Sequence, residues 1–202
     1  PLYIYSKSDI FDIKREPNLN MELVKALLIN IGAYKWVVDQ DKKSDKEKFT
    51  ISPEDVLDYI YGRLHDLKLK DEYKDFLNKE YPRVPAAKDA EEFLNYVEIG
   101  NKLRHLHLLE DPILSQFLTT FSNPGNNIVE KVEHRENNLW INDTQYFGNV
   151  SKKIWEFTVG GYKPSQRWLN DRLNKKLSYE DINYYQKIIS AIAETIKMQE
   201  KN

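Results

Sequence analysis

From Ser178 to Lys201 the chain spaces Ile182, Tyr185, Ile189, Ile192 and Ile196 three or four residues apart, behind a Ser178/Asp181 capping pair. That spacing puts all five on one face of a long C-terminal helix, which is stable only if another part of the chain covers that face. The same period recurs upstream. Asn20 is a candidate N-cap for a helix carrying Leu23, Leu27, Leu28 and Ile31 until Gly32 stops it. Ser52-Pro53-Glu54-Asp55 combines an N-cap, a proline at the first helical position and two acids facing the positive end of the dipole. The expected buried stripe behind it is Val56, Leu57, Ile60, Tyr61 and Leu64. A shorter helix is expected over Asp71–Lys79, ended by Pro82 and Pro85, and another over Asp89–Leu109 with Phe93, Leu94, Val97, Leu103 and Leu106, ended by Asp111-Pro112.

Before the first of these helices, and between them and the last one, the period is that of strands. Leu2-Tyr3-Ile4-Tyr5 predicts a short strand broken by Pro17-Asn18. Ile128–His134 alternates, and Leu139-Trp140-Ile141 follows across Glu136-Asn137-Asn138, a hairpin pattern. Phe157-Thr158-Val159 is expected as a third strand entering Gly160-Gly161, and Pro164–Arg172 as a short helix. Asp39–Lys48 has no apolar residue and is expected as an exposed loop. The fold class that follows is α+β: a helical N-terminal lobe, a small mostly antiparallel sheet and a long C-terminal helix. The expected division is 1–125 for the helical lobe and 126–202 for the α+β lobe, the two forming one compact unit or two.

Composition excludes several classes. At 41% hydrophobic, 12% aromatic and 31% charged residues the chain is a folded domain, with no apolar run near the ~20 residues of a membrane helix. No secretory leader is visible, and the absence of cysteine excludes disulfides and thiolate metal sites. A cytoplasmic location is expected. The chain starts at Pro1 without an initiator methionine and reads as an excised fragment. His105 and His107, two apart on a helix, point to different faces, so no metal is assigned.

Charge is unevenly distributed. Within Ile141–Lys187, eight cations (Lys152, Lys153, Lys163, Arg167, Arg172, Lys175, Lys176, Lys187) meet five acids (Asp143, Glu156, Asp171, Glu180, Asp181), a local balance of +3. The whole chain is −2, so the remainder sums to −5. One positive face on an otherwise acidic domain suits a polyanion. Arg grips guanine O6 and N7, Gln grips adenine N6 and N7, and Lys pairs with phosphate. The candidate contacts to such a polyanion are Tyr162, Lys163, Gln166, Arg167, Arg172, Lys175 and Lys176, with Gln145 and Lys153 on neighbouring loops. An ordinary solvated face explains the charges equally well. Gly160-Gly161 reads as a turn or as a pivot near DNA. Trp155, Trp168, Tyr179 and Tyr185 read as core anchors before base-stacking platforms. Trp168 is expected to be buried between the short helix and the terminal one.

The same stretch resembles the C-terminal specificity domain of Type ISP restriction-modification enzymes. The matching residues are Ile141-Asn142-Asp143-Thr144-Gln145-Tyr146-Phe147, Ile154 through Tyr162, Gln166-Arg167-Trp168-Leu169 and Leu177 through Ile182. Upstream, Ser52 through His65, Glu80-Tyr81-Pro82-Arg83-Val84-Pro85 and Leu106-His107-Leu108-Leu109 look like the segment joining methyltransferase to recognition domain. The resemblance implies a target recognition domain for double-stranded DNA, serving an adenine methyltransferase and nuclease elsewhere on the same polypeptide. It implies S-adenosylmethionine, ATP and Mg for the parent enzyme and no cofactor or catalytic residue here. No Asn/Asp-Pro-Pro-aromatic tetrapeptide and no phosphate loop is present. The competing reading is a non-catalytic interaction or scaffold domain.

Overall fold

The computed structural model describes residues 1–9, 12–38, 50–68, 84–159 and 161–201. The expectations for Asp39–Lys48, Asp71–Lys79, Glu80–Arg83 and Gly160 fall outside these residues. By packing, the chain divides into Pro1–Arg104 and His105–Asn202. The expected boundary at 125/126 follows the change in secondary-structure content. Residues just after Arg104 instead pack with the later chain: Leu106 and Leu114 cluster with Ala191, and Gln186 Nε2 donates to Thr119 O at 2.6 Å.

The first unit opens with a hairpin, β1 (Tyr3–Asp9) against β2 (Asp12–Pro17), with Tyr3 opposite Pro17. The predicted strand is thus one arm of a pair, and Pro17 ends the second arm. Helix α1 (Met21–Leu27) starts where Asn20 accepts from the Glu22 and Leu23 backbone N–H groups at 2.9 and 3.3 Å. Two short parallel strands, β3 (Lys35–Trp36) and β4 (Thr50–Ile51), precede α2 (Pro53–His65). The Ser52/Asp55 capping box is complete: Asp55 N donates to Ser52 Oγ at 3.3 Å and Ser52 N to Asp55 Oδ2 at 2.7 Å. Tyr3 Oη and Arg15 Nη2 both donate to Glu54 Oε1, at 2.6 and 2.7 Å, and tie the hairpin to the start of α2.

The buried stripe of α2 differs from the expected one. Val56 is buried, but Leu57, Ile60, Tyr61 and Leu64 are only half-buried, and Asp58 and Tyr59 take the innermost positions. Backbone contact with α3 (Ala90–His107) is the cause. A Cβ on Gly100 would lie 1.7 Å from the Asp58 carbonyl oxygen, and one on Gly62 would lie 2.5 Å from that of Tyr96. Only glycines allow this approach. It buries Asp58, whose carboxylate accepts from Arg104 Nε and Nη2 at 2.6 and 3.0 Å and from Asn101 Nδ2 at 2.9 Å, so the charge is paired and hydrogen-bonded. Leu94 of the expected α3 stripe stands 53% exposed, while Phe93, Leu103 and Leu106 are buried.

The second unit is built on α6 (Tyr179–Lys201), and Ile182, Tyr185, Ile189, Ile192 and Ile196 are all buried on it as the spacing predicts. Each apolar side chain so covered contributes ~1.5–3 kcal/mol relative to leaving it in water. The cover comes from β5 (Glu133–Arg135), β6 (Asn138–Trp140) and β7 (Tyr146–Phe147), an antiparallel sheet in that order, and from α4 (Lys152–Trp155) and α5 (Pro164–Asn170). The β5–β6 turn puts Glu136 and Asn137 at φ 52° and 59°, the double left-handed geometry of a two-residue turn. The third strand is Tyr146–Phe147 and not Phe157–Val159. Val159 makes a single bridge to Tyr162, because the Val159–Tyr162 bonds close a tight turn around Gly161 at φ +85°. Together the elements are α+β. No helix among the described residues is long and apolar enough to cross a membrane.

Candidate nucleic-acid interface

Helix α5 begins at Pro164, with Lys163 as an N-cap lacking a side-chain cap bond, and ends near Asp171. The chain then turns through Asn174, at φ 61°, and runs antiparallel to residues 127–129. Leu177 N donates to Asn127 O at 2.8 Å, Val129 N to Lys175 O at 3.0 Å and Asn174 N to Val129 O at 2.8 Å. This brings Asp171, Arg172, Lys175, Lys176, Leu177 and Asp181 around one cavity of about 400 Å³. Of the predicted contacts, Arg172, Lys175 and Lys176 are therefore assembled.

Their freedom differs. Lys176 is exposed, without an ion-pair partner among the described residues. Lys175 Nζ donates to Asp171 O at 3.1 Å. Arg172 is engaged on three sides: Cζ sits 3.5 Å from the Trp168 ring centroid, Nη1 donates to Trp168 O at 3.1 Å, and Nε approaches Asp181 Oδ1 at 3.4 Å. Asp181 is held below the usual carboxylate range, first by the Ser178 backbone N–H and then by the Ser178 hydroxyl and Arg172. Trp168 is half-buried, against the expectation of full burial, because its outer face is covered by Arg172 and not by a helix.

One turn back on α5, Arg167 is 68% exposed, with Nε 3.9 Å from Asp171 Oδ2 and its guanidinium 5.6 Å from the ring of half-exposed Tyr162. Gln166 is half-buried and commits one amide N–H to Trp155 O at 3.1 Å. Reading adenine through two bonds would use its carbonyl and second N–H.

Two predicted residues are not part of this group. Lys153 is ion-paired with Glu200, which lies about 28 Å along α6 from Asp181 at 1.5 Å per residue. Gln145 is a correction: it is 1% exposed, with its amide turned inward. Nε2 donates to Asn123 O and Asn127 Oδ1 at 3.0 and 2.7 Å, while Oε1 accepts from Asn127 N and Asn142 Nδ2 at 2.8 and 3.1 Å. Both donors and both acceptor positions are taken, so it cannot reach a base edge.

The outer face of the sheet carries a cluster that residue types alone did not single out. Arg135 lies over Trp140 at 4.3 Å, Trp140 packs on Tyr146 at 4.5 Å, and the Trp140 indole N–H is buried without a partner among the described residues. The alternation through Glu133, Arg135 and Trp140 marks that face, since alternate residues of a strand share a side. His107 Nε2 lies within hydrogen-bond distance of Thr195 Oγ1 at 2.9 Å, and His105 meets Glu110 at 3.3 Å.

This fold is one that restriction-modification enzymes carry as a small part of a long chain. It is similar to the ATP-dependent Type ISP restriction-modification enzyme LlaBIII bound to DNA (TM-score 0.69, 18% identity, 100% of this chain, 13% of that one). It is similar to DrdV in a cryoEM DNA complex (TM-score 0.71, 16% identity, 100% and 21%). It also matches a nuclease-deletion mutant of the Type ISP enzyme LlaGI in complex with a DNA substrate mimic (TM-score 0.58, 23% identity, 79% and 14%). The chain thus spans 13 to 21% of the length of these relatives. No curated protein matches it in sequence. The chain belongs to the Type ISP C-terminal specificity domain family, whose family model matches residues 1–201.

Proposed function

We propose that this chain is the DNA target recognition domain of a single-chain restriction-modification enzyme, reading a short duplex sequence for an adenine methyltransferase and nuclease outside it. The observation that carries the reading is membership over residues 1–201 of a specificity-domain family, together with Arg172, Lys175 and Lys176 around one cavity. Arg167, exposed and weakly paired, is the leading base-edge contact, with Gln166, Tyr162 and Lys163 beside it. Lys175 and Lys176 hold phosphates, and Arg172 braces the segment between them. S-adenosylmethionine, ATP and Mg belong to the parent enzyme's other domains, since the tetrapeptide that would hold the flipped adenine beside the methyl donor and the loop that would cradle ATP phosphates are missing from this sequence. The methyltransferase domain of the same polypeptide is the partner this function requires.

The test is made in the full-length enzyme. Arg167→Ala and Gln166→Ala should change which sequences are methylated, at ~1–3 kcal/mol per bidentate base contact. Lys175→Ala and Lys176→Ala should weaken binding to all sequences alike and flatten the slope of log affinity against log salt by ~0.9 each. Unaltered site preference and salt slope in all four variants would remove the segment from the DNA interface and leave an interaction domain.

A further inference from the structure

Gln145 lies within the Ile141–Phe147 motif but cannot touch DNA, and the geometry points to another role. We infer that Gln145 is a positioning residue, which sets Lys175 and Lys176 in place through Asn127. This rests on the reading of the chain as a DNA recognition domain.

The linkage is continuous. The buried amide of Gln145 makes four hydrogen bonds, three of them to the Asn123–Asn127 loop. That loop lies flat against it: a Cβ on Gly125 would come within 2.4 Å of both Gln145 Cδ and Oε1, so a larger residue there would have to displace the amide. Asn127 is bonded twice by Gln145, at its backbone N–H and at its side-chain carbonyl, and is thereby held at φ +60°. A non-glycine residue at that φ carries a conformational cost that the two bonds offset. From Asn127 the backbone pairs directly with the basic segment: Leu177 N donates to its carbonyl, Ile128 bridges Lys176, and Val129 bonds both Asn174 and Lys175. Lys175 and Lys176 lie on a non-helical segment between α5 and α6, so this pairing with residues 127–129 is what orients their backbone. Asn142 closes the system from below, with Oδ1 accepting from Gln145 N at 2.7 Å and Nδ2 donating to Ile128 O at 3.1 Å.

The experiment compares salt slopes of DNA binding by the full-length polypeptide carrying Gln145→Leu, Lys175→Ala/Lys176→Ala, or all three changes, each held well below its melting temperature. If Gln145 acts through the lysines, Gln145→Leu lowers the slope by about 0.9 for each phosphate no longer neutralised, and the triple variant is no lower than the lysine pair. A purely structural role would lower the melting temperature and leave the slope at the parent value, which overturns the inference. So does a triple variant whose slope falls by the sum of the separate reductions. An unchanged slope in the lysine pair itself overturns the DNA reading of this segment and the inference with it. Should Gln145→Leu not fold, Gln145→Met carries the test, because it keeps the length of the side chain and removes the amide that holds Asn127: a lowered slope supports the inference and a parent slope overturns it.

Discussion

Arg172 closes a stack that starts in the core. Its guanidinium covers Trp168 at 3.5 Å, Trp168 stacks on Tyr185 at 5.0 Å, and Tyr185 meets Phe147 edge-on at 4.7 Å. A candidate DNA contact is thus also the outer wall of the hydrophobic core. Arg172→Lys should lower stability by ~1 kcal/mol, since an ammonium keeps the charge but loses the planar stacking and the directed bonds to Trp168 O and Asp181. A shift of the urea midpoint at unchanged m-value is the readout.

Trp168→Ala should cost ~2–4 kcal/mol, below the upper end of aromatic truncations because one face is covered only by Arg172. Chemical denaturation measures it. A loss under ~1 kcal/mol would mean that the stack does not bear on the core.

Gly100→Ala should be among the most damaging single changes, at ~3 kcal/mol or more, the upper range for overpacking. The added carbon has backbone and not a flexible side chain in its way, so α2 and α3 must separate and the Asp58–Arg104 pair must stretch. Gly32→Ala, where φ is +85° but nothing stands within 4 Å, should cost only ~1–2 kcal/mol. Thermal melts of the two variants side by side test the contrast.

Glu136 and Asn137 offer the reverse case. Both sit at left-handed φ in the β5–β6 turn. Replacing the pair by Asn-Gly should raise stability by ~1 kcal/mol, because that dipeptide adopts the same turn with little strain. Loss of stability on this double change would show that the Glu136 side chain has a role of its own.

Stability should fall at both pH extremes. Asp181 titrates below its ordinary 3.8 when folded, so its contribution is present above that value and is lost as pH falls through the lower folded pKa. Asp181→Asn should flatten the acid limb. At the other end, burial pushes Tyr59 up to about 12 and Tyr185 well above 10. A raised folded pKa means the contribution is complete below about pH 10 and is lost as pH climbs through the folded value. Tyr59→Phe should flatten the alkaline limb, as followed by denaturant midpoints across pH.

Residue order alone specifies the helix starts at Asn20, Ser52 and Ser178, the β5–β6 turn and the buried face of α6. Each is local: a side chain bonds a backbone group two or three residues away, or a period of three to four aligns one face, and neither depends on distant chain. The remaining features arise from packing between distant segments. The buried face of α2 is rotated toward Asp58 and Tyr59 because Gly62 and Gly100, 38 positions apart, let two backbones touch. Tyr146–Phe147 takes the place expected for Phe157–Val159, pairing with Trp140 and Leu139 of β6 as the chain folds back on itself. Gln145 and Gln166 share a residue type, and either amide is chemically able to read a base. Which one stays available depends on the partners that surround it: the 123–127 loop and Asn142 enclose Gln145 fully, whereas Trp155 takes only one bond from Gln166. A polar side chain is committed to the interior or left for a ligand according to whether distant segments supply all its hydrogen-bond partners, and residue type alone does not carry that information.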